Sequence, residues 1–271
     1  MFTVDYPAIR GDRIDGWNTW KRAGDIASFW AYPVAGERTV SIGGYAGVGE
    51  AVALSVQAVA AQKPVWFVAQ AFESPIAKYD WRMPDEHKAR AMAYAALVHG
   101  ATGLIWFSYD SFVTRNGLVI GISPDPQEEY DHELPGSLSG KTLFRANDRQ
   151  IAESRALWGA VSRLNRELAA QSDIWLSPTA DLDYRVEIRG ARTSATPVRT
   201  QLKRTRDGLF LAGVNVDDTP VAFRVSMAQA IAAIDPVAGD AEVSLKSGTL
   251  VGKLDGFGTF VLKVDPAPER E

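Results

Sequence analysis

From residue 25 to residue 110, short apolar runs alternate with longer stretches of helical period. Residues 25–33 run apolar and end at Pro33, residues 63–72 carry Val65, Trp66, Phe67 and Val68 behind Pro64, and residues 103–109 repeat the pattern. Runs this continuous predict strands buried on both faces. Between the first two lies a glycine cluster, Gly43, Gly44, Gly47 and Gly49, read as a loop. It is followed by Val52, Val56 and Val59 at helical spacing, predicting a helix over 49–62. Pro84, with Asp85 and Glu86 behind it, suits the first turn of a second helix, where a missing N–H and negative charge are both tolerated. That helix stops at His99 and Gly100, since glycine can take the left-handed cap. A polar loop over 110–141 leads to a third helix over 147–170, whose apolar stripe is Ile151, Leu157, Trp158, Val161, Leu164 and Leu168. Residues 2–6 supply one more candidate strand. Alternation of this kind predicts a parallel sheet covered by helices, as an open doubly wound sheet or as a section of a barrel.

After Ser172 the period changes. Residues 183–189, 198–203, 208–215, 221–226, 241–246 and 258–264 are short and alternate or run apolar, separated by turn residues such as Asp207 with Gly208 and Ser247 with Gly248. Strands at this spacing predict an antiparallel β-sandwich. Asp217 to Pro220 reads as a hairpin turn. The expected organisation is therefore α/β plus all-β, with one domain over 1–172 and a second over 173–271.

Composition narrows the function classes. A net charge of −4 with both signs interspersed offers no basic stripe for nucleic acid. No apolar run approaches the roughly 20 residues of a membrane span, and residues 1–16 lack the basic and apolar segments of a signal peptide. The compartment stays open, since a secreted or periplasmic parent protein is compatible with these residues. With no cysteine, thiolate metal sites are excluded. His87, His99 and His132 share no metal spacing, the acidic stretch 128–133 reads as a solvated loop, and no cofactor or metal is expected. No Gly-x-Gly-x-x-Gly turn follows a strand, so a dinucleotide site has no support.

Three stretches together resemble bacterial (β/α)8-barrel glycoside hydrolases of a retaining clan. Residues 25–33 are similar to the sixth barrel strand of such enzymes, residues 63–72 to the seventh, and residues 82–94 with 99–109 to the seventh helix and eighth strand. Trp158, Leu164, Glu167 and Leu168 resemble the last barrel helix, and the strand over 208–215 fits the small sandwich that follows. The resemblance implies a partial TIM-type barrel of about three to four βα units, followed by the sandwich. A full barrel needs eight strands and typically ~250 residues, so the expectation is either an incomplete chain whose amino-terminal half is missing or a smaller α/β domain closed in its own way, for instance by a second copy.

Barrel active sites lie at the carboxyl ends of the strands. The residues so selected are Glu73 and Asp110 as candidate catalytic carboxylates, each also readable as a solvated loop residue. Trp30, Tyr32, Gln70, Phe72, Trp106 and Tyr109 are candidates for binding sugar. Alternation puts Trp66, Val68, Gln70 and Phe72 on one face, with Gln70 either bonding sugar hydroxyls or satisfying backbone. Trp66 and Trp158 are assigned to the core. Retaining glycosidases place two carboxylates ~5 Å apart. In the clan that these stretches resemble, the acid/base follows the fourth strand, which this chain lacks. The expectation is a carbohydrate partner with little or no hydrolysis, the alternative being a non-catalytic carbohydrate-binding or assembly module.

Overall fold

The computed structural model describes residues 2–4, 22–36, 44–74, 80–114, 117–123, 129–132, 142–189 and 197–268. Strands β1 (Phe2–Val4), β2 (Ala27–Ala31), β3 (Val65–Gln70) and β4 (Gly103–Phe107) form one parallel sheet in that order. Phe29, Phe67 and Leu104 lie side by side across it. Helix α1 (Gly44–Ala58) joins β2 to β3, and α2 (Glu86–Leu97) joins β3 to β4. Asp85 caps α2 by accepting the Lys88 N–H at 2.8 Å, so Pro84 precedes the cap and does not open the first turn.

The expected partial TIM-type barrel of about three to four βα units is not formed. Among the described residues only α1 and α2 connect neighbouring strands of the four-stranded parallel sheet, so the strand–helix alternation of a barrel section is not kept up. After β4 the chain turns into two hairpins, β5 (Phe112–Thr114) with β6 (Gly117–Val119) and β7 (Glu129–His132) with β8 (Thr142–Arg145). These occupy part of the expected polar loop. Twelve of the sixteen described strands are antiparallel. The glycine cluster is also not a loop throughout. Gly44, Gly47 and Gly49 sit inside α1, and the His99 ring packs where a Cβ on Gly49 would stand.

Helix α3 (Asp148–Ala170) is closed by a capping box, with Asn147 accepting from the Gln150 N–H and the Gln150 side chain accepting from the Asn147 N–H, both at 3.0 Å. Its buried stripe is Ser154, Leu157, Ala160, Val161 and Leu164, while Trp158 is exposed. A short turn, α4 (Ser172–Trp175), then leads into the sandwich.

The sandwich pairs sheet β10-β11-β16-β13 with sheet β14-β15-β12-β9, eight strands where six were expected. These strands are β9 (Tyr184–Arg189), β10 (Val198–Thr205), β11 (Gly208–Asn215), β12 (Val221–Met227), β13 (Ile231–Gly239), β14 (Glu242–Lys246), β15 (Thr249–Leu254) and β16 (Thr259–Pro266). β11 and β12 belong to different sheets, so residues 217–220 bridge the layers and are not a hairpin turn. Phe223 and Phe260 stack across the layers at 5.2 Å. β11 is buried on both faces. Leu209 and Leu211 face the sandwich interior, whereas Phe210, Ala212 and Val214 join one apolar core with Phe67 of β3 and Met92 of α2. Between these layers Arg90 donates to both carboxylate oxygens of Glu167 at 2.6 and 2.8 Å and to Thr259 Oγ1 at 2.6 Å. Tyr94 donates to the same carboxylate at 2.7 Å.

Candidate functional site

The helices cover one face of the parallel sheet, through Phe29, Phe67, Ala69, Leu104 and Trp106, and β11 packs against α2. Alternation turns Trp30, Val68, Ile105 and Phe107 to the opposite face, which at the carboxyl ends of the strands is aromatic. Tyr32, just beyond β2, is its hub. It stacks on Trp30 at 4.9 Å and lies nearly parallel to Phe107 at 6.0 Å. It also meets the edges of Phe72 and Trp81 at 4.8 and 5.8 Å. Phe112 on β5 extends the cluster from Phe107 at 6.2 Å. Phe72 is buried beneath, whereas Phe107 and Phe112 are each 38% exposed. Burial pushes the Tyr32 hydroxyl well above its ordinary pKa, keeping it neutral.

Strand-end selection thus finds Trp30, Tyr32 and Phe72 together, and misses Trp81, Phe107 and Phe112. Phe107 was legible: it continues the face of Gly103 and Ile105, whereas Trp106 alternates to the helix side. There Trp106 donates its indole N–H to Asn165 Oδ1 at 3.0 Å, which sets it apart from the cluster. Tyr109 does not join either; it meets Trp158 edge-on at 5.4 Å. Trp66 is half-buried, its ring lying over Gly103.

Gln70 is fully buried and spent on the backbone. Its Oε1 accepts the Val34 N–H at 2.9 Å, and its Nε2 donates to the carbonyls of Val34 and Arg82, both at 2.9 Å. The bonds clamp the chain after β2 to the chain before α2, and hold Tyr32 and Trp81 at the cluster.

Glu73 is no solvated loop residue. Its side chain is 4% exposed, and its backbone exchanges two hydrogen bonds with Ile120. Arg149 donates to both carboxylate oxygens at 2.7 and 3.0 Å, and Gln150 donates to one at 2.9 Å. Burial favours the neutral acid, but these bonds and the charge of Arg149 outweigh it and hold the pKa below the usual carboxylate range. Asp110 is exposed on the bend after β4, where its backbone carbonyl accepts the Ser108 hydroxyl at 2.9 Å. One carboxylate is thus sealed in an ion pair and the other stands in solvent. Among the described residues no cluster of His, Asp and Glu suits a metal ion.

His99 lies at the end of α2, where a positive charge would complement the dipole. Burial instead lowers its pKa, and its ring hydrogen-bonds the Ala95 carbonyl at 2.8 Å.

No protein-family model and no curated protein matches the chain. Among solved structures it resembles the trehalulose synthase from Pseudomonas mesoacidophila, at 12% identity and a TM-score of 0.49 over 92% of this chain and 54% of that one. It also resembles an arabinofuranosidase from Xanthomonas axonopodis pv. citri, at 9% identity and 0.47 over 97% and 57%. An α-amylase from H. orenii matches at 10% and 0.43 over 97% and 60%. The chain spans about half to three-fifths of the length of these structures. At such similarity any chemistry has to be argued from the residues themselves.

Proposed function

We propose that this protein binds oligo- or polysaccharide on the aromatic cluster at the strand ends and does not hydrolyse it. The observation that carries the reading is the convergence of Trp30, Tyr32 and Phe107 around one hub, with Phe107 and Phe112 reaching solvent. Aromatic faces offer flat apolar area to the C–H face of a sugar ring, and their low conformational entropy leaves little to lose on binding. The resemblance of residues 25–33, 63–72 and 82–109 to barrel glycoside hydrolases supports the same ligand class. Hydrolysis is argued against by Glu73, whose lone pairs are committed to Arg149 and Gln150 in a site closed to substrate.

Affinity electrophoresis through gels containing soluble xylan, starch or β-glucan tests the proposal. Retardation by one polysaccharide is expected, with Phe107→Ala weakening it about tenfold, the loss of one good stacking contact. Tyr109→Ala, outside the cluster, should leave it unchanged. Release of reducing ends that disappears in Glu73→Gln would overturn the non-hydrolytic reading. Absence of retardation on every polymer would overturn the binding one.

A further inference from the structure

The outer face of sheet β14-β15-β12-β9 carries a trough of about 390 Å³, within the size range of small-ligand sites. Its shape follows from cross-strand register. Arg189, Ala222, Lys253 and Glu242 form one rank across the four strands. Glu187, Arg224, Val251 and Ser244 form the next. Long charged side chains stand at intervals, while Ala222, Val251 and Ser244 leave the floor low. Ranks two residues apart are separated by about 7 Å, and four strands span about 14 Å, so the trough suits a short chain more than a single small molecule.

Its charge departs from that of the whole chain. This face presents Arg185, Arg189, Arg224, Lys246 and Lys253 against Glu187 and Glu242, while the protein's net charge is −4. Only Arg185 is committed, at 3.6 Å from Glu187. Arg189, Arg224, Lys246 and Lys253 form no ion pair with a described residue.

We propose that this trough binds an acidic, uronate-bearing oligosaccharide, at a site separate from the aromatic cluster. Arginine and lysine at fixed spacing complement sugar carboxylates, arginine by paired N–H donors. Glu187, Glu242 and the Ser244 hydroxyl accept from sugar hydroxyls. A deoxyribonucleotide backbone carries no hydroxyls to donate to these carboxylates, so it leaves both of them unmatched. Nor does the trough stack bases, because the Phe223 ring points inward against Phe260.

Calorimetry of the full chain with tetragalacturonate at low salt tests this, with the uncharged galactose tetramer and a thymidine tetranucleotide as controls. Binding of the uronate alone is expected, weakening as salt rises. The double variant Arg224→Ala with Lys253→Ala should lower affinity at least about tenfold, the loss of one to two charge-assisted hydrogen bonds. Ala222→Trp, which fills the floor without removing charge, should do the same, while Phe107→Ala leaves the affinity intact. Amide shift changes in the unsubstituted protein should centre on Ala222 and Val251. No uronate binding, equal binding of the oligonucleotide, or shifts that map elsewhere would each overturn the proposal. None of these outcomes bears on neutral-polymer binding at Phe107.

Discussion

A carboxylate that is 4% exposed and accepts three hydrogen bonds is held for what it joins together. Glu73 ties the exit of β3 to the first turn of α3. Removing Arg149 strands that charge. A fully buried pair broken this way costs about 3–5 kcal/mol. Because Arg149 is half-exposed and Gln150 still donates to Glu73, water and that remaining donor reduce the cost to about 2 kcal/mol. Arg149→Ala should therefore lower the thermal midpoint while saccharide retardation, measured below that midpoint, persists. The pH dependence has a definite sign. Since the folded pKa of Glu73 lies below its unfolded value of about 4.3, its contribution is complete above that value. It is lost as pH falls through the lower folded pKa. Urea titrations from pH 6 to pH 2 should show a steeper acid loss in the parent than in Glu73→Gln. Parallel curves would show that the ion pair adds nothing. Gln70 makes the same point without charge. Gln70→Leu orphans a buried N–H and two carbonyls, costing roughly 3 kcal/mol, and it also frees the segments holding Tyr32 and Trp81. Stability and retardation should then fall together, unlike in Arg149→Ala.

At the scale of elements, the capping box of α3 gives a clean expectation. Asn147→Ala removes the acceptor for the Gln150 N–H, costing about 1 kcal/mol, and shifts the urea midpoint with no change in slope. Asn147 was legible as a helix start, as were the apolar cores of β2, β3, β4 and β11, because backbone chemistry and burial on two faces both write themselves locally. β13 and β15 were not. Pro236 interrupts the first, and the register shifts there between Pro236 and Ala238. Gly252 weakens the second, and its missing side chain only makes sense once Phe223 from the neighbouring strand is laid over it. The glycines of α1 misled for a related reason. Glycine is costly in a helix, and the His99 ring that makes Gly49 necessary lies on another element. In the aromatic cluster, strand-end proximity selects Trp30 and Tyr32, but only strict alternation separates Phe107 from Trp106. Apart from the Phe72 carbonyl, the acceptors and donors around the Gln70 and Glu73 side chains come from residues 12 to 77 positions away, a pairing no local pattern encodes. The barrel expectation failed on the same ground, since the character of β2, β3 and β4 does not encode that hairpins and antiparallel sheets take over after them.

For the whole molecule, the decisive feature is that the sandwich does not hang from the α/β layers as a separate body. Phe210, Ala212, Val214 and Val261 share a core with Phe67 and Met92, and the Arg90, Glu167 and Tyr94 network closes over it next to Thr259. Both charged partners are mostly buried, and their mutual bonds outweigh burial to keep each ionised. Glu167→Ala strands the Arg90 charge and a Tyr94 hydroxyl, at about 3 kcal/mol. All eight tryptophans precede residue 176 and the six described ones lie outside the sandwich, so fluorescence reports mainly the α/β layers, whereas β-sheet circular dichroism is dominated by the sandwich. With a shared core the two signals should follow one thermal transition in the parent, and in Glu167→Ala that transition should move lower by several degrees. Two separate midpoints in the parent would show that each layer folds by itself. The continuous burial of β11, and with it the fixed orientation of the aromatic cluster and the basic trough within one body, would then lose its energetic basis.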